Sequence, residues 1–151
     1  MERASLTEKP SLLWIDMNVS RREFESAEFF ERHFDVRRHT PTSSLDAEIE
    51  QTRPRVLCFD FDFPTKPGLK TLQRTKQTHA QIPVLMVTVQ HSEALAVWAF
   101  RSRVWDYLVK PIAEQEVTRC LIGLREMLEI QDLRQPARKS ATASANTSFP
   151  T

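Results

Sequence analysis

Short apolar runs alternate with amphipathic stretches along most of the chain. Near-continuous apolar runs at 55–60 (RVLCFD) and 83–89 (PVLMVTV) are typical of strands that are covered on both faces. The runs at 11–16 (SLLWID) and 105–110 (WDYLVK) predict two further strands, and 34–39 (FDVRRH) predicts a weaker one with polar alternation.

The intervals between these runs carry helical patterns. Apolar residues recur about every third position in the first interval, at Phe24, Ala27, Phe30 and Phe34. A second helix is predicted behind a capping serine, and a third opens with Pro67, which a first turn tolerates. The later predicted helices cover residues 43–52, 67–79, 91–102 and 112–133. The last one has a single apolar stripe, formed by Val117, Leu121, Leu124 and Leu128.

Five strands that alternate with five helices predict an α/β fold, a doubly wound (βα)5 sandwich with a parallel sheet. In such sheets ligands bind beyond the carboxyl ends of the strands. The candidate functional residues are therefore the polar residues that end the predicted strands, namely Asp16, Asp60, Thr88 and Lys110.

Composition narrows the class of protein. A chain of 151 residues suits one domain, and its formal charge of +1 argues against nucleic acid as the main partner. The two glycines, Gly68 and Gly123, are too few for a Gly-rich phosphate loop. Cys58 and Cys120 lie in apolar patterns, as reduced thiols of a cytosolic protein would. No apolar run approaches the roughly 20 residues of a membrane span, and the N-terminus does not resemble a secretory signal.

The polar composition of both ends sets the predicted domain limits. Residues 1–10 are predicted to be a disordered N-terminus, and residues 11–133 the folded domain. Residues 134–151 are rich in Pro, Ala, Ser and Thr, which predicts a disordered tail or an interdomain linker.

The strand-end residues suit phosphoryl chemistry. A carboxylate can attack phosphorus and form an aspartyl phosphate, and a lysine or a carboxylate-held Mg²⁺ can meet the anionic phosphoryl oxygens. A threonine hydroxyl can bind another of these oxygens. Taken singly, an Asp at a strand end is commonly a helix cap and a Lys is usually solvated. Four such residues at four strand ends favour a site.

Motif spacing then points to a family. Pro64 follows Asp60 by four residues, and Gly68 follows Pro64 by four. The run PVLMVTV ends near Thr88, and DYLVKP contains Tyr107, Lys110 and Pro111. Over roughly residues 10–132 the chain therefore resembles a response-regulator receiver domain of two-component signalling. The resemblance implies a flavodoxin-like sheet of order 2-1-3-4-5 and a cis Lys110–Pro111 bond.

The resemblance also implies a mechanism. Asp60 would accept a phosphoryl group from a sensor histidine kinase or a phosphotransfer protein, and Thr88 would move to bind it. Tyr107 would then rotate inward, and the face of the fourth helix, fifth strand and fifth helix would change its partner preference. That face could also form a homodimer. The chain is not expected to be an enzyme beyond its own phosphorylation and dephosphorylation, and it would be cytoplasmic.

The stretch IDMN departs from the family at the metal site. Receivers usually carry two adjacent acids there, and Met17 stands in place of the second. The remaining Mg²⁺ ligands would be Asp16, Asp60 and the backbone carbonyl of Asp62. A thioether is a poor ligand for a hard cation, so we expect weakened Mg²⁺ binding. The Asp62 carboxylate could replace the lost ligand or could repel the incoming phosphate.

Arg103 is a second departure, because many receivers have glycine before the fifth strand, where the helix end needs positive φ. A residue with a Cβ atom is strained in that conformation, so the fourth helix is expected to end differently here. With Trp98 and Trp105 nearby, this could mean a private partner or a bulkier core.

Two other functions compete with the phosphorylated switch. The DxDx[TV] motif of haloacid dehalogenases needs Thr or Val where Pro64 stands, which disfavours a hydrolase. A receiver with a degraded metal site can instead act as a phosphorylation-independent dimerisation or interaction module. In either receiver function, DNA would be contacted only through an output domain outside this chain.

Overall fold

A computed structural model describes residues 9–18, 25–39 and 44–147 of the chain. Phe24, most of the predicted N-terminal segment and the last four residues of the predicted tail lie outside these residues.

The strands form one parallel five-stranded sheet. They are β1 (Ser11–Asp16), β2 (Asp35–Arg38), β3 (Val56–Phe61), β4 (Val84–Thr88) and β5 (Asp106–Val109). Their order across the sheet is β2-β1-β3-β4-β5, and every neighbouring pair is parallel. The predicted α/β class and the implied strand order are confirmed.

The helices are α1 (Glu25–Glu31), α2 (Leu45–Thr52), α3 (Lys66–Thr78), α4 (Glu93–Arg101) and α5 (Glu114–Thr147). A hydroxyl caps three of them by accepting a hydrogen bond from a first-turn N–H. These caps are Ser44 for α2, Thr65 for α3 and Ser92 for α4. Helix α1 ends earlier than its pattern predicts, since Phe34 already lies beyond Glu31.

Alternate residues of each strand pack on opposite faces of the sheet. Leu13, Ile15 and Phe59 belong to one buried cluster that includes residues of α2, α3 and α4. Trp14 lies between Leu13 and Ile15 and contacts Phe30 of α1, with ring centroids 5.6 Å apart. The period of two in a strand therefore places α1 on one face and α2 to α4 on the other.

Gly68 has a steric role rather than a conformational one. It lies in the first turn of α3, and its φ is not in the left-handed region. A Cβ atom at this position would lie 2.8 Å from Cε1 of Phe61, which is buried and stacks on Phe59. The glycine therefore lets the start of α3 approach the end of β3.

Arg103 adopts the conformation that the sequence analysis expected it to avoid. Its φ is 60°, in the left-handed region, so the prediction that α4 ends differently is wrong. The N–H of Val104 donates to Ala99 O at 3.1 Å and that of Arg103 to Phe100 O at 3.1 Å, the two hydrogen bonds of a Schellman motif. These two bonds hold the arginine in a strained conformation despite its Cβ atom.

The chain divides into two compact units, residues 1–117 and 118–151. The first contains the sheet and α1 to α4, and the second contains most of α5.

The apolar stripe predicted for α5, Val117, Leu121, Leu124 and Leu128, is buried. The helix continues to Thr147, through part of the segment predicted as a disordered tail. Residues 134–147 include Pro136, which cannot donate the backbone hydrogen bond of a helix interior, and their sequence has no apolar stripe to pack on a core. The predicted domain limits therefore stay a prediction. Within the described ranges, no helix is long and apolar enough to cross a membrane.

Candidate functional site

The carboxyl ends of the strands bring the predicted site residues together. Asp16 of β1 pairs in register with Asp60 of β3, and Phe61 pairs with Thr88 of β4. Thr88 in turn pairs with Val109 of β5, which directly precedes Lys110. Four residues from four strand ends therefore meet at one edge of the sheet, as parallel pairing requires.

Asp60 is the buried centre of this edge. Its side chain has no exposed surface, and its Oδ1 accepts a hydrogen bond from Lys110 Nζ at 2.6 Å. Its Oδ2 is also buried and has no hydrogen-bond partner among the described residues. Burial raises the pKa of Asp60, although the bond and charge of Lys110 oppose that rise. The unpartnered oxygen leaves one acceptor for an incoming group.

Lys110 has a second carboxylate partner, which the sequence analysis did not assign. Its Nζ donates to Asp62 Oδ1 at 3.0 Å. Burial lowers the pKa of Lys110, but the two carboxylates outweigh it, and the net shift is upward. The period of two places Asp60 and Asp62 on the same side of an extended chain, so the DxD spacing was the signal available.

Asn18 is a further site residue that the sequence analysis missed. Its Nδ2 and backbone N–H both donate to Asp16 Oδ1, at 2.8 and 3.0 Å. Its Oδ1 accepts a hydrogen bond from the Asp62 N–H at 2.6 Å. Asn18 thus joins the end of β1 to the loop after β3. An Asn two residues after a strand-end Asp is typical of such local side-chain bonds.

Met17 is at the site by its backbone alone. Its N–H donates to Asp60 O at 3.0 Å, which supports the register that places residue 17 beside the acceptor. Its side chain is partly buried and packs against the core cluster of Leu13, Ile15 and their neighbours. A thioether in that position adds apolar contact and no metal ligand.

The residues at this edge fit a hard cation incompletely. No three His, Cys, Asp or Glu side chains of the described ranges lie close enough together to hold a metal ion. The predicted set has the carboxylates of Asp16 and Asp60 and the carbonyl of Asp62. That carbonyl already accepts a hydrogen bond from Gln90 N–H at 3.1 Å, and the Thr88 hydroxyl is a second donor to it at 3.4 Å. The unpartnered Asp60 Oδ2 is the feature that suits a cation best.

The Asp62 side chain does not take the place of the missing acid. Its carboxylate is directed to Lys110, and no three His, Cys, Asp or Glu side chains of the described ranges are arranged so that they could hold a metal ion. Of the two roles left open for it, replacement of the lost metal ligand has no support in this geometry.

Thr88 and Tyr107 converge on one carbonyl group. Thr88 Oγ1 and Tyr107 Oη each donate to Gln90 O, both at 3.2 Å. Thr88 is fully buried, whereas Tyr107 is partly exposed, and its ring lies 6.1 Å from that of His91. Burial raises the pKa of Tyr107. The two predicted switch residues are therefore connected in this conformation, and their movement stays a prediction.

The loops beside the acceptor contain the predicted structural residues. Pro64 precedes the Thr65 cap, and Gly68 follows in the first turn of α3. The Lys110–Pro111 peptide bond is cis, the geometry that the family resemblance implies.

Comparison with known proteins agrees with this geometry. The family model of the response regulator receiver domain matches residues 12–122. The DNA-binding transcriptional regulator NtrC of Klebsiella pneumoniae is 35% identical over 92 residues, which is 61% of this chain and 19% of NtrC. The chain thus spans about a fifth of the length of this curated relative.

Solved structures show the same fold. NtrX from Brucella abortus in complex with ADP is 25% identical, with a TM-score of 0.62 over 83% of this chain and 29% of NtrX. The signal receiver domain of a Luxo repressor protein from Vibrio parahaemolyticus is 19% identical, with a TM-score of 0.63 over 83% of this chain and 96% of that one. At 19% identity the second likeness shows the fold alone.

Proposed function

Because the chain belongs to the response regulator receiver domain family, we propose that it is a phosphoacceptor switch whose acceptor is Asp60. The observation that supports this role is the buried Asp60 carboxylate. One of its oxygens accepts a hydrogen bond from Lys110, and the other has no hydrogen-bond partner in the described ranges. A buried carboxylate with a free oxygen is placed for attack on phosphorus.

The proposed step is a phosphoryl transfer from a histidine kinase or a phosphotransfer protein. An Asp60 oxygen forms a bond to the phosphorus of a phosphohistidine, and the P–N bond breaks. The electron pair stays on the imidazole nitrogen, which takes up a proton, and an acyl phosphate remains on Asp60. Lys110 offsets the negative charge around the acceptor, and the Thr88 hydroxyl is the nearby donor for a phosphoryl oxygen.

Mg²⁺ belongs to this proposal as a weakly bound cofactor. Asp16, Asp60 and the carbonyl of Asp62 would hold it, and it would supply positive charge for the phosphoryl oxygens. Met17 contributes no ligand, so we expect the affinity to be low.

The proposed output is a change in the surface near α4 and β5. The Thr88 hydroxyl would leave Gln90 O and donate to the phosphoryl group instead. Tyr107 would then move, because its hydroxyl donates to the same Gln90 carbonyl in this conformation. Val97, Phe100 and Trp105 are exposed apolar residues in this region, with Phe100 84% exposed, and suit a protein partner. The relatives' names include a DNA-binding regulator, so a DNA-binding output domain outside this chain is one candidate partner.

Phosphorylation of the purified chain with acetyl phosphate and Mg²⁺, followed by intact-mass spectrometry, tests the acceptor. We expect one added phosphoryl group, which Asp60→Asn abolishes and Asp106→Asn does not. Asp106 is the matched control because it lies at the opposite end of β5 from Lys110. Phosphate incorporation by Asp60→Asn, or none by the wild-type chain, would refute the proposal.

One observation favours a second function. The Met17 side chain packs on the core and adds no metal ligand beside Asp16, which favours a receiver without metal-dependent phosphorylation. Such a chain would act as a phosphorylation-independent interaction module. In cells, Asp60→Asn would leave the module's output intact, whereas the phosphoswitch requires that the output be lost.

A further inference from the structure

The Asp62 carboxylate is held more firmly than a surface acid. The backbone N–H of Asp62 donates to Asn18 Oδ1 at 2.6 Å, and its carbonyl accepts from Gln90 N–H at 3.1 Å. These bonds connect the loop after β3 to the ends of both neighbouring strands. The carboxylate is only 15% exposed, so its position follows from that of the loop.

Lys110 needs such a fixed partner. A lysine side chain has four flexible carbons, and holding it in one conformation costs about 2 kcal/mol of rotamer entropy. In this structure its Nζ is shared between Asp60 at 2.6 Å and Asp62 at 3.0 Å. Formation of an acyl phosphate would move the negative charge from the Asp60 carboxylate to the phosphoryl oxygens, so the first of these two contacts would change during the reaction.

We propose that Asp62 is the positioning residue for Lys110, and that its carboxylate keeps the ammonium group at the acceptor while the negative charge moves from Asp60 to the phosphoryl oxygens. This inference rests on the proposed function for its role in phosphorylation, but the Asp62–Lys110 contact itself can be tested without it. Asp62 then acts through Lys110 and has no separate contact with the transferred group.

A double-mutant cycle in urea unfolding tests the contact. Asp62→Ala removes a partner of Lys110, so we expect the unfolding equilibrium constant to rise about fivefold. In a Lys110→Ala background the same substitution instead removes a repulsion between two nearby carboxylates. There we expect the unfolding constant to fall. The matched control is Asp35→Ala, because Asp35 lies at the amino end of β2, away from the carboxyl ends of the strands. It should change the unfolding constant by the same factor in both backgrounds.

A second cycle uses the initial rate of phosphorylation by acetyl phosphate. Asp62→Ala should slow it about fivefold when Lys110 is present and less than twofold in Lys110→Ala. Asp62→Glu, which keeps the charge, should recover most of the rate, and Asp62→Asn should not.

The outcomes separate the two proposals. An equal effect of Asp62→Ala with and without Lys110, or faster phosphorylation in Asp62→Ala, would show that Asp62 acts by repelling the donor and would overturn the inference. An effect on unfolding of the same sign in both backgrounds would also overturn it. If no variant is phosphorylated but the unfolding cycle changes sign, the proposed function fails and the Asp62–Lys110 contact stands.

Discussion

Replacement of Arg103 by glycine should stabilise the domain. Arg103 has a φ of 60°, and a residue with a Cβ atom in this left-handed conformation loses about 1–2 kcal/mol relative to its preferred one. Glycine avoids that strain, but its freer unfolded chain costs about 0.5–1 kcal/mol. The difference is a gain of between about 0 and 1.5 kcal/mol in the free energy of unfolding, with a midpoint of about 0.75 kcal/mol.

A like charge beside Arg103 adds to the expected gain. Burial lowers the pKa of Lys76, and the positive charge of Arg103 lowers it further, so the two cations repel each other. The Schellman hydrogen bonds of Arg103 and Val104 use backbone groups and persist in the variant. In a thermal scan the gain corresponds to about 2–5 °C in Tm for a domain of this size.

Two arginine variants serve as controls in urea and thermal unfolding. Arg103→Ala removes the charge but keeps the Cβ atom, so it should remain within about 0.5 kcal/mol of the wild-type chain. Arg101→Gly removes an exposed arginine from the last turn of α4, where glycine should cost about 0.5–1 kcal/mol. If Arg103→Gly destabilised the chain, or if it matched Arg103→Ala, backbone strain at Arg103 would be refuted.

Three further predictions concern the edge of the sheet. Gly68→Ala should lower the free energy of unfolding by about 1–2 kcal/mol, because its Cβ would meet the Phe61 ring; unchanged urea stability would contradict this. The pKa of Asp60 is raised in the folded chain, so its contribution to stability is complete below the unfolded pKa of about 3.9 and is lost as the pH rises through the folded value. Asp60→Asn should therefore gain stability relative to the wild-type chain as the pH rises above the unfolded pKa of Asp60, and parallel pH profiles in urea unfolding would rule that out. Met17→Asp should raise Mg²⁺ affinity at least about tenfold in calorimetric titration, since it adds a hard oxygen ligand next to Asp16; equal affinities would show that residue 17 does not limit the metal site.

The fold followed from local patterns to a large extent. Near-continuous apolar runs placed β3 and β4 to within one residue at either end, because strands buried on both faces leave no room for polar side chains. The end of α1 was predicted three residues too late, since Phe34 continues the apolar spacing after the helix has ended at Glu31. The spacing of apolar residues indicates which residues are buried. A buried residue in a turn after a helix, such as Phe34, can therefore continue the spacing of that helix.

The sequence by itself determined that Asp16, Asp60, Thr88 and Lys110 would meet, because parallel strands end at the same edge of a sheet. The tertiary structure decided which atoms face each other there. Asp62 and Lys110 lie 48 positions apart, and no local rule directs one side chain to the other. The side chain of Met17 packs on a core that is formed by strands and helices later in the chain, so its position depends on them. Arg103 keeps its positive φ because two backbone bonds and the start of β5 outweigh a local preference of about 1–2 kcal/mol, and such a balance exists only in the folded chain.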